Sequence, residues 1–251
     1  MNTVLITGCS SGFGLEIARL FLERDWNVIA TMRTPDASLF PPSPRLRLLA
    51  LDVSDDTSIR SAVEQAGPVD ALVNNAGIGV LYPLEAISME TARAVFATNT
   101  LGTIAMTRAV LPAMRERGAG TIVNVTSTTT LAPLPLLSVY TASKAAVNAF
   151  TESLALELEP LGIRARLVLP GRSPSTSFGA NARSHMAAPT PEAYAPLLAK
   201  VFAGSGAGGD ALLTQARDVA DAVWRAVTDP AAPMRIPAGA DAEALALSLA
   251  A

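Results

Sequence analysis

Six short, mainly apolar runs mark the first 170 residues, at 4–6, 28–31, 46–51, 71–73, 121–125 and 163–169. Stretches with apolar residues at helical spacing separate most of them, at 15–22, 57–65, 89–115 and 140–159. A strand buried on both faces reads as a continuous apolar run, whereas a strand with one wet face alternates. Continuous strands alternating with helices therefore constrain the chain to an α/β fold, a parallel sheet covered by helices on both faces. The pattern at 89–115 predicts one long helix, with a kink expected at Pro112. No repeat or linker interrupts the pattern before Pro170, so the reading is a single domain over residues 1–251.

Residues 172–216 break this regularity. They hold Gly204-Ser205-Gly206-Ala207-Gly208-Gly209, several prolines and His185. We read them as an excursion that forms a substrate lid; a tolerated surface insertion is the alternative. Residues 234–236 then read as a last short strand, followed by an alanine-rich tail.

Composition excludes several function classes. Half the residues are hydrophobic, enough for a large core. The 19 Lys and Arg against 22 Asp and Glu give a net charge of −3, with no basic stripe. Nucleic acid and anionic membrane are therefore not expected partners. The start of the chain lacks a basic segment followed by a long apolar one, and no apolar stretch is long enough to span a bilayer. With one cysteine, Cys9, no internal disulfide is possible, and a cytoplasmic, reducing location is expected. One cysteine and one histidine, His185, cannot assemble a Cys/His zinc site, so no metal is expected. Cys9 reads as a packing residue and His185 as a surface residue.

Thr7-Gly8-Cys9-Ser10-Ser11-Gly12-Phe13-Gly14 lies between the first strand and the first helix. Glycines there permit a tight turn and let the backbone approach a pyrophosphate. The helix N-terminus adds free N–H groups and a positive dipole end. A dinucleotide site is the expectation. The second strand ends in Thr31-Met32-Arg33, with no carboxylate before Asp36. A carboxylate at that place would bind a ribose 2′-hydroxyl, whereas an Arg accommodates a 2′-phosphate. Arg33, aided by the hydroxyls of Ser10 and Ser11, therefore favours NADP(H), with NAD(H) possible. Further along, Tyr140-Thr141-Ala142-Ser143-Lys144 places a phenol and an ammonium on one face of a helix. A nearby positive charge is expected to lower the phenol pKa from about 10, which makes Tyr140 a candidate acid/base.

These features together resemble the short-chain dehydrogenase/reductase family in its short, single-domain form. The glycine loop matches the family's Thr-Gly-x-x-x-Gly-x-Gly, and Asp52-Val53 falls where the family contacts adenine. Asn74-Asn75-Ala76-Gly77 matches the family's Asn-Asn-Ala-Gly. Asn99, Ser127, Tyr140 and Lys144 fall on its catalytic tetrad, and Pro170-Gly171 on the turn beside the nicotinamide. Thr176 or Ser175 stands for a threonine that bonds the nicotinamide carboxamide, with the register open by one residue. The resemblance implies a Rossmann-type doubly wound sheet of about seven strands. It implies hydride transfer between nicotinamide and a carbonyl or secondary alcohol. Ser127 would then bind the carbonyl oxygen and Tyr140 would supply the proton. Lys144 would tune Tyr140 and hold the ribose, and Asn99 would hold a water of a proton relay. The cofactor contacts implied are Gly8, Ser10, Ser11, Gly12, Phe13, Gly14, Arg33, Asp52, Val53, Asn75, Ala76, Gly77, Tyr140, Lys144, Pro170, Gly171 and Thr176.

Apolar runs at 80–84 and 131–137, with Phe178, imply a mainly hydrophobic small-molecule substrate. Arg172, which could meet an anion, weighs slightly against this. The resemblance also implies a homodimer or homotetramer packed through the helices at 89–115 and 140–159. A catalytically idle NADP-binding sensor on the same fold is the principal rival. A sugar-nucleotide epimerase shares the Tyr and Lys but has a differently spaced glycine loop and a larger C-terminal domain. A pure interaction protein using the long helices is a third alternative.

Overall fold

The structure, a computed structural model, describes residues 1–174, 190–206 and 212–250. Its strands are β1 (Thr3–Ile6), β2 (Asn27–Met32), β3 (Leu46–Ala50), β4 (Ala71–Asn74), β5 (Gly120–Val125), β6 (Ile163–Pro170) and β7 (Arg235–Ala238). Its helices are α1 (Gly12–Glu23), α2 (Asp56–Ala66), α3 (Met89–Phe96), α4 (Gly102–Arg117), α5 (Ser138–Leu158), α6 (Ala195–Gly206), α7 (Ala216–Thr228) and α8 (Ala240–Ala250). All seven strands form one parallel sheet in the order β3-β2-β1-β4-β5-β6-β7. This is the Rossmann-like α/β fold expected from the sequence. The order reverses between β1 and β4, and a crevice opens at such a switch point beyond the strands' carboxyl ends.

The two faces of the sheet separate two cores. Val4, Ile6, Val28, Ala30 and Val73 face one way, against Ile17, Leu20 and Phe21 of α1 and Val219, Val223 and Val227 of α7. Leu5, Ile29, Leu72 and Ile122 face the other, against α2, Met106, Val110 and Met114 of α4, and Leu154 and Leu158 of α5. A period of two with both sets apolar is why the central strands β1, β2 and β4 read as nearly unbroken runs. Phe21 packs edge-on against Trp26 and Trp224, with centroids at 5.2 and 5.1 Å. A third, smaller cluster, Val80, Tyr82, Val95 and Val139, sits beyond the carboxyl ends of β4 and β5.

The helix expected over 89–115 is not one regular helix. Residues Ala97–Leu101 form a π-helical turn between α3 and α4, and α4 runs through Pro112 to Arg117. A π-turn inserts one residue into the helical period and swings the side chains that follow, without altering polarity. Its pattern therefore looks helical throughout. The tail is a helix, α8, and part of the 172–216 excursion is α6.

Phe21 is fully buried between the two tryptophans. Phe21→Ala is expected to cost about 3–5 kcal/mol of stability, read as a shifted urea midpoint. A change below about 1 kcal/mol would show that this face of the sheet repacks freely.

Candidate active site

Four segments meet at the carboxyl ends of β1, β4, β5 and β6. The first is the glycine loop. Gly8 has φ +75°, and a Cβ there would lie 2.8 Å from the Ala76 Cα. A Cβ on Gly14 would lie 2.2 Å from the Gly8 carbonyl oxygen and 2.5 Å from Asn75 Nδ2. No other residue type fits either position. Thr7 Oγ1 accepts the backbone N–H of both Asn75 and Ala76 at 3.0 Å. Asn75 Nδ2 in turn donates to the carbonyls of Thr7 (3.0 Å) and Gly8 (3.2 Å). The Asn75 amide is thus spent holding the glycine loop. Cys9 N donates to the Thr31 carbonyl at 2.9 Å, tying the loop to the end of β2. Burial pushes the Cys9 thiol up to about 12, which keeps it protonated and inert.

Helix α1 begins after Ser11, whose side chain makes no capping bond. Its first N–H groups, at Gly12, Phe13 and Gly14, have no intrahelical acceptor, as at any helix start. Ser10 and Ser11 are exposed beside them. Arg33 is exposed just past β2, near enough to Asp52 for its charge to help lower that carboxylate's pKa. The main cause of that lowering is Ser54, whose hydroxyl and N–H both donate to Asp52 Oδ1. Val53 is buried against Gly102, where a Cβ would lie 2.7 Å from the Val53 carbonyl oxygen. This donor set, with a backbone that leaves glycine-sized space, fits an anionic dinucleotide.

The polar side chains converge on Gly77. A Cβ on Gly77 would lie 3.2 Å from Asn99 Oδ1 and 3.3 Å from Lys144 Nζ. Asn99, in the π-turn, accepts the Ile78 N–H (2.8 Å) and donates to the Ile78 carbonyl (2.9 Å) and to Ser143 Oγ (3.0 Å). Ser143 Oγ donates to the Tyr140 carbonyl at 2.7 Å. Lys144 Nζ donates to the Val125 carbonyl at 2.9 Å, and its burial lowers its pKa to about 8. Tyr140, 7% exposed, is hydrogen-bonded by Ser127.

The Tyr140 phenol does not show the depressed pKa expected from its neighbour. Burial pushes it up to about 12, and the Ser127 hydrogen bond offsets only part of this. Desolvation is the larger cause, and the Lys144 ammonium donates to the Val125 carbonyl.

The fourth segment is the Pro170-Gly171 turn, and here sequence reasoning missed two residues. Thr214 Oγ1 accepts the Gly171 N–H (2.9 Å) and lies 2.7 Å from Asp241 Oδ1, its proton's acceptor. Asp241 Oδ2 accepts the Arg172 N–H at 2.6 Å. Sequence separations of 43 and 69 residues give no local signal for these contacts. Thr176, Phe178 and His185 lie outside the described residues. On the substrate side, Tyr82 N donates to the Leu136 carbonyl at 2.8 Å, and Leu136 takes a left-handed φ of +67°. Among the described residues no helix is long and apolar enough to cross a membrane.

A model of the family described as short chain dehydrogenase matches residues 2–187. An uncharacterized oxidoreductase, YusZ, of Bacillus subtilis is 36% identical over 240 residues, covering 89% of this chain and 84% of its own. Retinol dehydrogenase 8 of Bos taurus is 42% identical over 183 residues, which make up 68% of this chain but only 58% of that protein. A short chain dehydrogenase from Burkholderia cenocepacia, in complex with NADP, superposes with a TM-score of 0.78 at 30% identity, covering 100% of this chain and 93% of its own. A 3-ketoacyl-(acyl-carrier-protein) reductase from Brucella melitensis, complexed with NADH, gives 0.77 at 28% identity, covering 94% and 96%. With a family model matched over residues 2–187 and a relative 36% identical over most of both chains, the chain belongs to the short-chain dehydrogenase/reductase family of oxidoreductases.

Proposed function

We propose that this protein is an NADP(H)-dependent carbonyl reductase, or the corresponding alcohol dehydrogenase, for a mainly hydrophobic small molecule. The observation that carries the reading is the placement of Asn99 and Lys144 beside Gly77, with Ser127 hydrogen-bonded to Tyr140 on the same helix as Lys144. The cofactor supplies the hydride; the chain supplies position and protons. A buried phenol at about 12 is fully protonated near neutrality, so Tyr140 can give a proton to a developing alkoxide. Ser127 donates a hydrogen bond to the same oxygen. Lys144 holds positive charge under the site, and Asn99 fixes the Tyr140 helix through Ser143.

Arg33 supports NADP(H) over NAD(H), because it stands exposed at the end of β2, where a carboxylate would be needed to bind a ribose 2′-hydroxyl. Asp36, the first acid past the strand, has its Oδ1 engaged by Ser38 N and Oγ at 2.9 and 2.6 Å. The buried apolar cluster of Val80, Tyr82 and Val139, with Leu136 alongside, supports a hydrophobic substrate. Leu101, the last residue of the π-turn before α4, and Leu156 of α5, 61% and 73% exposed, support self-association through those helices. A light-scattering mass near the monomer's 25.9 kDa at micromolar protein would overturn that assembly.

A fluorescence titration with NADPH and NADH tests the cofactor. NADPH is expected to bind at least about tenfold more tightly, with the advantage lost in Arg33→Ala. Equal affinities would remove Arg33 from the site. A screen of apolar ketones and aldehydes then tests the reaction. Tyr140→Phe is expected to abolish turnover while binding NADPH as tightly as before; retained turnover would overturn its role.

Lys144 carries a stability signature of its own. Its folded pKa of about 8 lies below its ordinary 10.5, so the unfolded chain holds that proton more tightly. The resulting cost is full below about 8 and fades as pH rises through 10.5. Lys144→Met is therefore expected to raise Tm at neutral pH, with a gain that shrinks in alkali. A gain that does not change with pH would show that packing, not the buried charge, sets it.

A further inference from the structure

Three consecutive threonines, Thr128, Thr129 and Thr130, follow Ser127, and the roles assigned above leave them without work. They form a single 3₁₀ turn that Ser127 caps from an extended backbone. Ser127 Oγ accepts two hydrogen bonds from one residue, the Thr129 N–H at 3.2 Å and the Thr129 hydroxyl at 3.1 Å. Thr130 Oγ1 donates to the Ser127 carbonyl at 2.7 Å and accepts from Asn148 Nδ2 of α5 at 2.9 Å. The Ser127 backbone is thus braced from the helix that carries Tyr140.

A hydroxyl has one proton and two lone pairs. With both lone pairs of Ser127 filled from Thr129, only its proton is left to use. The reverse orientation, Ser127 donating to Thr129, strands the Thr129 proton. Thr129 is 8% exposed, and Ser127 Oγ is the one acceptor its hydroxyl reaches among the described residues. A buried donor without an acceptor is costly, so one direction wins. A donor that itself receives a hydrogen bond is also the stronger donor.

We propose that Thr129 is a positioning residue whose hydroxyl orients the Ser127 proton toward the oxygen beside Tyr140. The proposal rests on the reading of Ser127 and Tyr140 as the catalytic pair. Ser127 is hydrogen-bonded to the Tyr140 phenol, so its side chain stands beside the oxygen to which its proton is to be directed. Thr129 touches no reacting atom; it sets the role of the residue that does.

The test uses a near-isostere. Thr129→Val keeps the shape and the backbone N–H and removes the hydroxyl, while Thr129→Ser keeps the hydroxyl. Tyrosine labelled with ¹³C at Cζ reports hydrogen bonding to each phenol. The chain has three tyrosines, and Tyr140→Phe identifies the Tyr140 signal. In Thr129→Val the Tyr140 signal is expected to move to its position in Ser127→Ala, with Tyr82 and Tyr194 unmoved. Thr129→Ser is expected to restore it. For a carbonyl compound that the wild type reduces, kcat is expected to fall about tenfold in Thr129→Val with KM unchanged, and to recover in Thr129→Ser. A Tyr140 signal that stays at its wild-type position in Thr129→Val, or that Thr129→Ser fails to restore, overturns the proposal. If Ser127→Ala and Tyr140→Phe turn over carbonyls at the wild-type rate, the catalytic reading fails instead, and the NMR shifts still decide the direction of the Ser127 proton.

Discussion

The contact between the loops that follow β1 and β4 governs the rest of this molecule. The Thr7 hydroxyl gathers two backbone N–H groups from the second loop, and the Asn75 amide returns two bonds to the first. At this approach the two loops leave no volume for a side chain at Gly8 or Gly14. Four hydrogen bonds, each worth about 1 kcal/mol net, fix the crevice where the strand order reverses. The start of α1 and the turn at Gly77 then face each other across it without further instruction. The glycines here are consequences of the clamp as much as provisions for a ligand.

Behind the crevice several buried amides and hydroxyls are linked in one chain. Asn74 donates to Thr107 of α4 and to Asn124 of β5, Asn124 donates to Thr151 of α5, and Thr151 closes on the Val147 carbonyl. This chain crosses the sheet between the two helices that flank the π-turn and the Tyr140 segment. A satisfied buried network specifies geometry, because any displacement leaves a donor or acceptor stranded. It can therefore hold Lys144 and Tyr140 in an environment that disfavours the charged form of each. The stability lost at Lys144 is of the kind that sites carry for their chemistry.

The sheet was legible in the sequence because its central strands are buried on both faces and read as mainly apolar runs, although β3 and β7 at the edges are partly exposed. The Tyr140–Lys144 spacing was legible for a similar reason, since helical geometry makes i and i+4 neighbours. What the sequence concealed depends on distance and on competing magnitudes. The π-turn at 97–101 keeps the polarity pattern of an ordinary helix, so Asn99 seemed to lie on a straight rod. The phenol pKa required weighing burial against charge, and burial is a property of the assembled core rather than of the five-residue motif. Asp241 and Thr214 act on Gly171 from far along the chain, with only ordinary composition around them.

That last pair shows how the end of the chain enters the site. Gly171 and Gly239 have no room for a Cβ, which would lie 2.3 Å from the Asp241 carboxylate and 2.2 Å from Thr214 Oγ1. The polar latch occupies the side-chain volume of both glycines. It also joins the two ends of the excursion, since Thr214 N donates to the Arg172 carbonyl at 2.9 Å. Loop closure costs grow only with the logarithm of length, about 0.6 kcal/mol per doubling. Once the ends are pinned, lengthening the intervening chain therefore adds little cost. The Pro170-Gly171 turn is held from the far end of the chain, because the Gly171 and Arg172 N–H groups donate to Thr214 and to Asp241 of α8.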